Sequence, residues 1–225
     1  PECSARLQIL HDLLQEPGFK HIPIIEANEA TLEQIARAHS ANYIDNVLLH
    51  IPDRKNDLYD FDGETILSSG SWDAALTYAG APCHALDDIM QKKIDRAFCI
   101  TRPPGHHAKK NKAMGFCIFN NIAIAAFYAQ KHYNIDKVAI IDFDVHHGNG
   151  TDSLVHENSG IFFASTHQYP LWPMSGMEEN NTNNHINIHL PPDSGSDIFR
   201  SAYVNKIFPA LEAVSYTHLR AHETG

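Results

Sequence analysis

The chain has little of what several large protein classes require. Its 225 residues hold four cysteines, Cys3, Cys83, Cys99 and Cys117, with no C-x-x-C spacing. That speaks against a disulfide framework or a zinc knuckle and fits a reducing cytosol. No apolar run approaches the roughly 18 residues of a membrane span. No charged-then-apolar leader opens the chain, so secretion is not expected and a cytoplasmic location is. Positive charge is scarce as well: 17 Lys and Arg stand against 27 Asp and Glu, a formal net charge of −10. No basic face is large enough to track phosphates, and Lys109-Lys110-Asn111-Lys112 reads as a short solvated loop. Direct nucleic-acid binding is therefore not expected. Internal repeats and long low-complexity segments are absent too.

What is present is an ordinary globular composition, 43% hydrophobic, in a chain long enough for one substantial core. Apolar periodicity predicts helices over residues 4–14, from 31, over 40–49, 71–92, 120–132 and 198–214. Pro82 and Pro209 fall inside two of these. Short apolar runs predict strands over residues 21–25, 96–101, 138–144, 160–166 and 185–190, with polar loops over 53–64 and 180–184. Strands alternating with helices predict an α/β fold with a mostly parallel central sheet. In such folds active sites lie beyond the carboxyl ends of strands.

Sixteen histidines are many for this length, and several cluster in two segments. The first is Asp142-Phe143-Asp144-Val145-His146-His147-Gly148-Asn149-Gly150, after the β-branched run Val138-Ala139-Ile140-Ile141. Strand side chains alternate faces. If extended backbone continues, Asp142, Asp144 and His146 project to one side. Two carboxylates and an imidazole at a strand end suit a divalent metal, with zinc the natural choice for an N/O set. A polar strand end entering a glycine turn is the bland alternative. The second segment, Arg102-Pro103-Pro104-Gly105-His106-His107-Ala108, places adjacent histidines just past another strand, where they can share proton-transfer work. Taken alone, such a pair is more often structural.

Together these segments resemble the zinc-dependent histone deacetylase family. The R-P-P-G-H-H-A form is similar to the branch holding class II enzymes and bacterial acetylpolyamine amidohydrolases and acetoin-utilisation proteins. Gly115-Phe116-Cys117 follows at short range, and further likeness runs through Pro1-Glu2 with Arg6-Leu7, Leu67-Ser68 to Ala75, and His189-Leu190-Pro191-Pro192 with Gly195. The resemblance implies an arginase/deacetylase-like three-layer fold, incomplete in this chain. It implies Zn2+ held by Asp144 and His146. It implies catalytic pairs His106 with Asp142 and His107 with Asn149, the latter standing where class I members carry Asp. A neutral partner favours a protonated imidazole less than a carboxylate does, which points to His107 as proton carrier and His106 as the more cationic member. Gly115, Phe116 and Trp172 resemble a tunnel wall that could sandwich a lysine-like stem. Core packing is the alternative for both aromatics. Asp142 and Ser165, with the backbone of Asp144, His146 and Thr166, resemble a structural K+ site. Arg6 matches an arginine on the floor of an internal channel.

The implied reaction is hydrolysis of an acylated amine, such as acetyl-lysine or an acetylpolyamine, to an amine and a carboxylate. Two features of the family are missing. The chain has no S-A-G-F-D-x-H segment, whose Asp is the third zinc ligand, and no later glycine-rich loop with an oxyanion tyrosine. Residues 1–214 are therefore expected to be a partial catalytic domain. Residues 215–225, without strand pattern, are expected to be a non-native tail in which Tyr216 and His218 carry no catalytic role. The chain as it stands is expected to aggregate or be poorly active. The alternatives are an acyl-amine-binding module without catalysis and a manganese ureohydrolase of the arginase type. Substrate and oligomeric state are left open.

Overall fold

The computed structural model describes residues 3–214 and 217–218. Three helices open the chain, α1 (Ala5–Leu14), α2 (Leu32–Ile35) and α3 (Ala41–Leu49). Thr31 and Gln34 form a reciprocal capping box on α2, and the Ser40 hydroxyl caps α3. A short antiparallel hairpin, β1 (Leu58–Asp60) and β2 (Ile66–Ser68), leads to the long α4 (Ser71–Met90). There follow α5 (Asn121–Tyr133), β3 (Val138–Asp142), α6 (Asn149–Val155), β4 (Ile161–Gln168), β5 (His185–Leu190), α7 (Ser196–Ala202), α8 (Phe208–Val214) and β6 (Thr217–His218).

The main sheet has the order β5-β4-β3-β6, and every pairing is parallel. All five residues of β3 are buried. Their alternation explains the layering. Val138 and Ile140 join Ile161 and Phe163 in a core shared with α4 and α5, through residues such as Leu86 and Ile124. Ala139 and Ile141 join Phe162, Ala164 and Ile188 in a second core with Ala202, Ile207 and Leu211, from the α7–α8 region. The sheet is thus covered on both faces, which is why its strands read as unbroken apolar runs. This is the expected three-layer α/β architecture.

Several expectations need correction. Residues 21–25 and 96–101 form no strand. Ile22, Ile24, Ile25 and Phe98 are exposed. An apolar run becomes a strand only where a neighbour takes its backbone hydrogen bonds. The loop expected over 53–64 contains β1. The long helix expected over 71–92 does form, as α4, and continues through Pro82. The single helix expected over 198–214 is interrupted by a π-helical turn, Tyr203–Ile207. Helix α1 forms as expected but buries none of its residues. In the tail, Thr217 and His218 pair with Val138 and Ala139, so a short strand stands where none was expected. Pro1, Glu2, Ser215, Tyr216 and residues 219–225 lie outside the described residues.

Candidate metal and acid–base site

β3 ends at Asp142, two residues earlier than the sequence suggests. The reason is local. Asp142 Oδ1 accepts a hydrogen bond from the Asp144 backbone N–H (3.1 Å), and Asp144 Oδ1 accepts one from the His146 N–H (2.8 Å). Each aspartate folds back onto the backbone two residues on, a bond that competes with continued strand. Strand alternation therefore does not place Asp144 and His146; these turns do. They leave Asp144 Oδ1 and His146 Nδ1 3.1 Å apart.

The second segment is fastened to the first. The Thr151 N–H donates to the His106 carbonyl at 3.0 Å. His106 Nδ1 lies 2.9 Å from Asp142 Oδ2, and His107 Nδ1 lies 2.7 Å from Asn149 Oδ1. The two imidazoles are buried, with ring centroids 3.9 Å apart. His106 Nε2 is 3.9 Å from Asp144 Oδ1. Gly148 is required here, because a Cβ would strike the Asp142 carboxylate. The structure thus gathers His106, His107, Asp142, Asp144, His146 and Asn149 into one site.

Its electrostatics follow from burial and pairing. Burial, then the neighbouring His106 charge, push His107 down to about 3, against the opposing pull of Asn149, Asp142 and Asp144. His107 is neutral at pH 7. Burial raises the Asp144 carboxyl, but the His146 hydrogen bond and the His106 charge outweigh it, so Asp144 sits below the usual carboxylate range.

The Trp172 ring stands edge-on to His107 at 4.6 Å and to His146 at 5.8 Å. Gly115 has φ +56°, and a Cβ there would meet both His107 and Trp172. Phe116 follows with φ +66° and a side chain 43% exposed. Trp172 and Gly115 thus border the histidines, and Phe116 is open to solvent beside them. Asp142 and Ser165 are register partners on β3 and β4, and Ser165 is fully buried. Thr166 follows Ser165, its hydroxyl 3.3 Å from the Tyr203 hydroxyl. Arg6 lies in the first turn of α1.

A tetrahedral ion with bonds of roughly 2.0–2.1 Å spaces its ligand atoms by about 3.3 Å. Asp144 Oδ1 and His146 Nδ1, at 3.1 Å, fit two such corners. Among the described residues no third His, Cys, Asp or Glu completes that pair. The group of three that does assemble is Asp152, His156 and His185. Sequence reasoning missed it, although Asp152 and His156 have the i, i+4 spacing of one helix face. It also missed Ser175, whose Oγ lies 2.8 Å from His147 Nδ1 and which nothing in its local sequence marks.

Residues 1–216 match the histone deacetylase domain, and the chain belongs to that family. It is 36% identical to a probable deacetylase of Archaeoglobus fulgidus over 96% of this chain and 63% of the relative. It is 30% identical to the polyamine deacetylase HDAC10 of Danio rerio, over 96% of this chain and 34% of the relative. The HD domain of HDA15 superposes with a TM-score of 0.86 at 28% identity, over 97% of this chain and 64% of that one. The chain thus spans less than two thirds of the length of these relatives. No helix among the described residues is long and apolar enough to cross a membrane.

Proposed function

We propose that this chain carries the acid–base and metal-binding core of a zinc-dependent hydrolase that removes an acyl group, usually acetyl, from an acylated amine. One observation carries the reading: two buried adjacent histidines, each hydrogen-bonded through Nδ1, face an aspartate and a histidine whose donor atoms are spaced for one ion. Bound at Asp144 and His146, zinc would supply polarisation of the acyl carbonyl and a more acidic bound water.

The chain's own residues divide the remaining work. His107 donates Nδ1–H to Asn149, which leaves Nε2 as the lone-pair nitrogen of a neutral imidazole. That nitrogen is suited to take a proton from water and return it to the leaving amine. His106 lies between the carboxylates of Asp142 and Asp144 and contributes electrostatically. Gly115, Phe116 and Trp172 would line the approach of an aliphatic stem, with Gly115 letting Trp172 close on His107. Asp142 and Ser165, with the backbone of Asp144, His146 and Thr166, would hold a structural K+ at the strand ends. Arg6 is assigned to the channel floor on family likeness alone.

Substrate choice rests on charge and on the relatives. A chain of net charge −10 suits a cationic acetylpolyamine or a basic acetyl-lysine peptide. A cytoplasmic setting is inferred from the cysteines, none of which is paired in a disulfide.

A second reading, binding without cleavage, draws on the lack of a third donor beside Asp144 and His146 among the described residues. One assay separates the two. The zinc-loaded protein is incubated with acetyl-lysine peptide and with N-acetylated polyamine, and released amine is measured beside ligand binding. Turnover that falls in His107→Ala supports the hydrolase. Binding with no amine released supports the second reading.

A further inference from the structure

We propose that Asp152, His156 and His185 form a second metal site, separate from the Asp144–His146 pair and independent of the hydrolase reading. Asp152 lies on α6, and His156 is the residue capping that helix. Four residues apart, they share one helix face. His185 opens β5 and is almost fully buried. Register pairs it with Phe163 on β4, which brings it beside α6.

The distances suit coordination. Asp152 Oδ1 is 3.0 Å from His185 Nδ1 and 3.5 Å from His156 Nδ1. These values bracket the spacing of about 3.3 Å between ligands of a tetrahedral ion. One donor atom from each residue lies within 4.8 Å of the others. One carboxylate oxygen with two imidazole nitrogens suits Zn2+, Co2+ or Ni2+ rather than Mg2+ or Ca2+.

The surroundings give the site support and access. The other carboxylate oxygen, Asp152 Oδ2, lies 3.4 Å from His147 Nε2. His147 Nδ1 is in turn 2.8 Å from the Ser175 hydroxyl, which holds that imidazole beside the carboxylate. The His185 backbone N–H donates to Thr182 Oγ1 at 3.1 Å, which fixes the base of that ligand. The His185 ring presents Nδ1, the nitrogen nearest Asp152, to the proposed ion. The His156 side chain is 53% exposed, so an ion reaches the site from solvent and water completes its coordination. The competing account is a metal-free ion-pair cluster in which Asp152 anchors His147 and His185.

The test is a metal titration of the chelator-treated chain with Co2+, followed by its visible absorption, and with Zn2+ in competition with a chromophoric chelator. Wild type, His156→Gln and Asp144→Asn are compared, with circular dichroism confirming the fold. The expected result is one equivalent whose affinity falls about tenfold or more in His156→Gln and is unchanged in Asp144→Asn. His156→Cys provides a positive signal, a thiolate-to-cobalt charge-transfer band. Identical titrations for wild type and His156→Gln, with no such band in His156→Cys, would overturn the proposal. Loss of a separate equivalent in Asp144→Asn reports on the hydrolase site alone, so the two readings fail independently.

Discussion

His107 is hydrogen-bonded through Nδ1 to the neutral amide oxygen of Asn149 at 2.7 Å, whereas the adjacent His106 meets the carboxylate of Asp142. Asn149→Asp should give His107 the same kind of partner. A new carboxylate favours the protonated imidazole and raises its pKa. A base works only when deprotonated, so activity is lost as pH falls through that pKa. The acid limb of kcat/KM should therefore move to higher pH, by about one unit. An unchanged limb would show that His107 is not the base.

Gly115→Ala tests whether the wall beside His107 matters. The backbone is left-handed there, and the added methyl meets the His107 and Trp172 rings. The ring of His107, the proposed proton carrier, must shift. Displacement on the order of 1 Å costs about 100-fold in rate, so kcat/KM should fall by about that factor. Wild-type turnover in a folded Gly115→Ala variant would place the reacting centre elsewhere.

Asn120 ties the histidine segment to the core. Its Oδ1 caps α5 by accepting from the Ala123 N–H, and its Nδ2 donates to the Ala108 carbonyl and to Thr151 Oγ1. Asn120 is fully buried. Asn120→Ala removes a helix cap and leaves a buried carbonyl unpaired, each worth about 1–2 kcal/mol. Urea denaturation should show a loss on the order of 3 kcal/mol, and a loss below about 0.5 kcal/mol would refute this account.

His39 gives a pH prediction away from the site. It is buried, with Nδ1 3.0 Å from the Lys109 carbonyl and Nε2 accepting the Asn120 N–H at 2.9 Å. That pairing holds the neutral tautomer, and burial lowers its pKa to about 4 from 6.5. Above pH 6.5 both folded and unfolded states are neutral there. As pH falls from 6.5 to 4 the unfolded state binds the proton first, so stability declines, by on the order of 3 kcal/mol at most, and then levels off. His39→Gln should flatten the dependence of Tm on pH across that window. A slope equal to wild type would show that His39 does not drive it.

The sheet centre was legible because β3 and β4 are buried on both faces, which writes burial into the sequence as continuous apolar runs. The residue types of the site were legible too, since carboxylates and imidazoles cluster beside Gly148 and Gly105. Residues 21–25 and 96–101 carry the same strand pattern yet form no strand among the described residues, because pattern reports apolarity and not position in the sheet. The short β1 escaped notice because its three residues are exposed and show no buried alternation.

Sequence by itself determined the family, the α/β class and the chemical groups available at the strand ends. These are properties of local composition, and a motif keeps its residue types whatever packs around it. Tertiary structure alone decided which groups meet. It brought His185 from β5 to Asp152 on α6 and Ser175 to His147. Those contacts join residues up to tens of positions apart, and only the packing of helices onto a twisted sheet sets such distances.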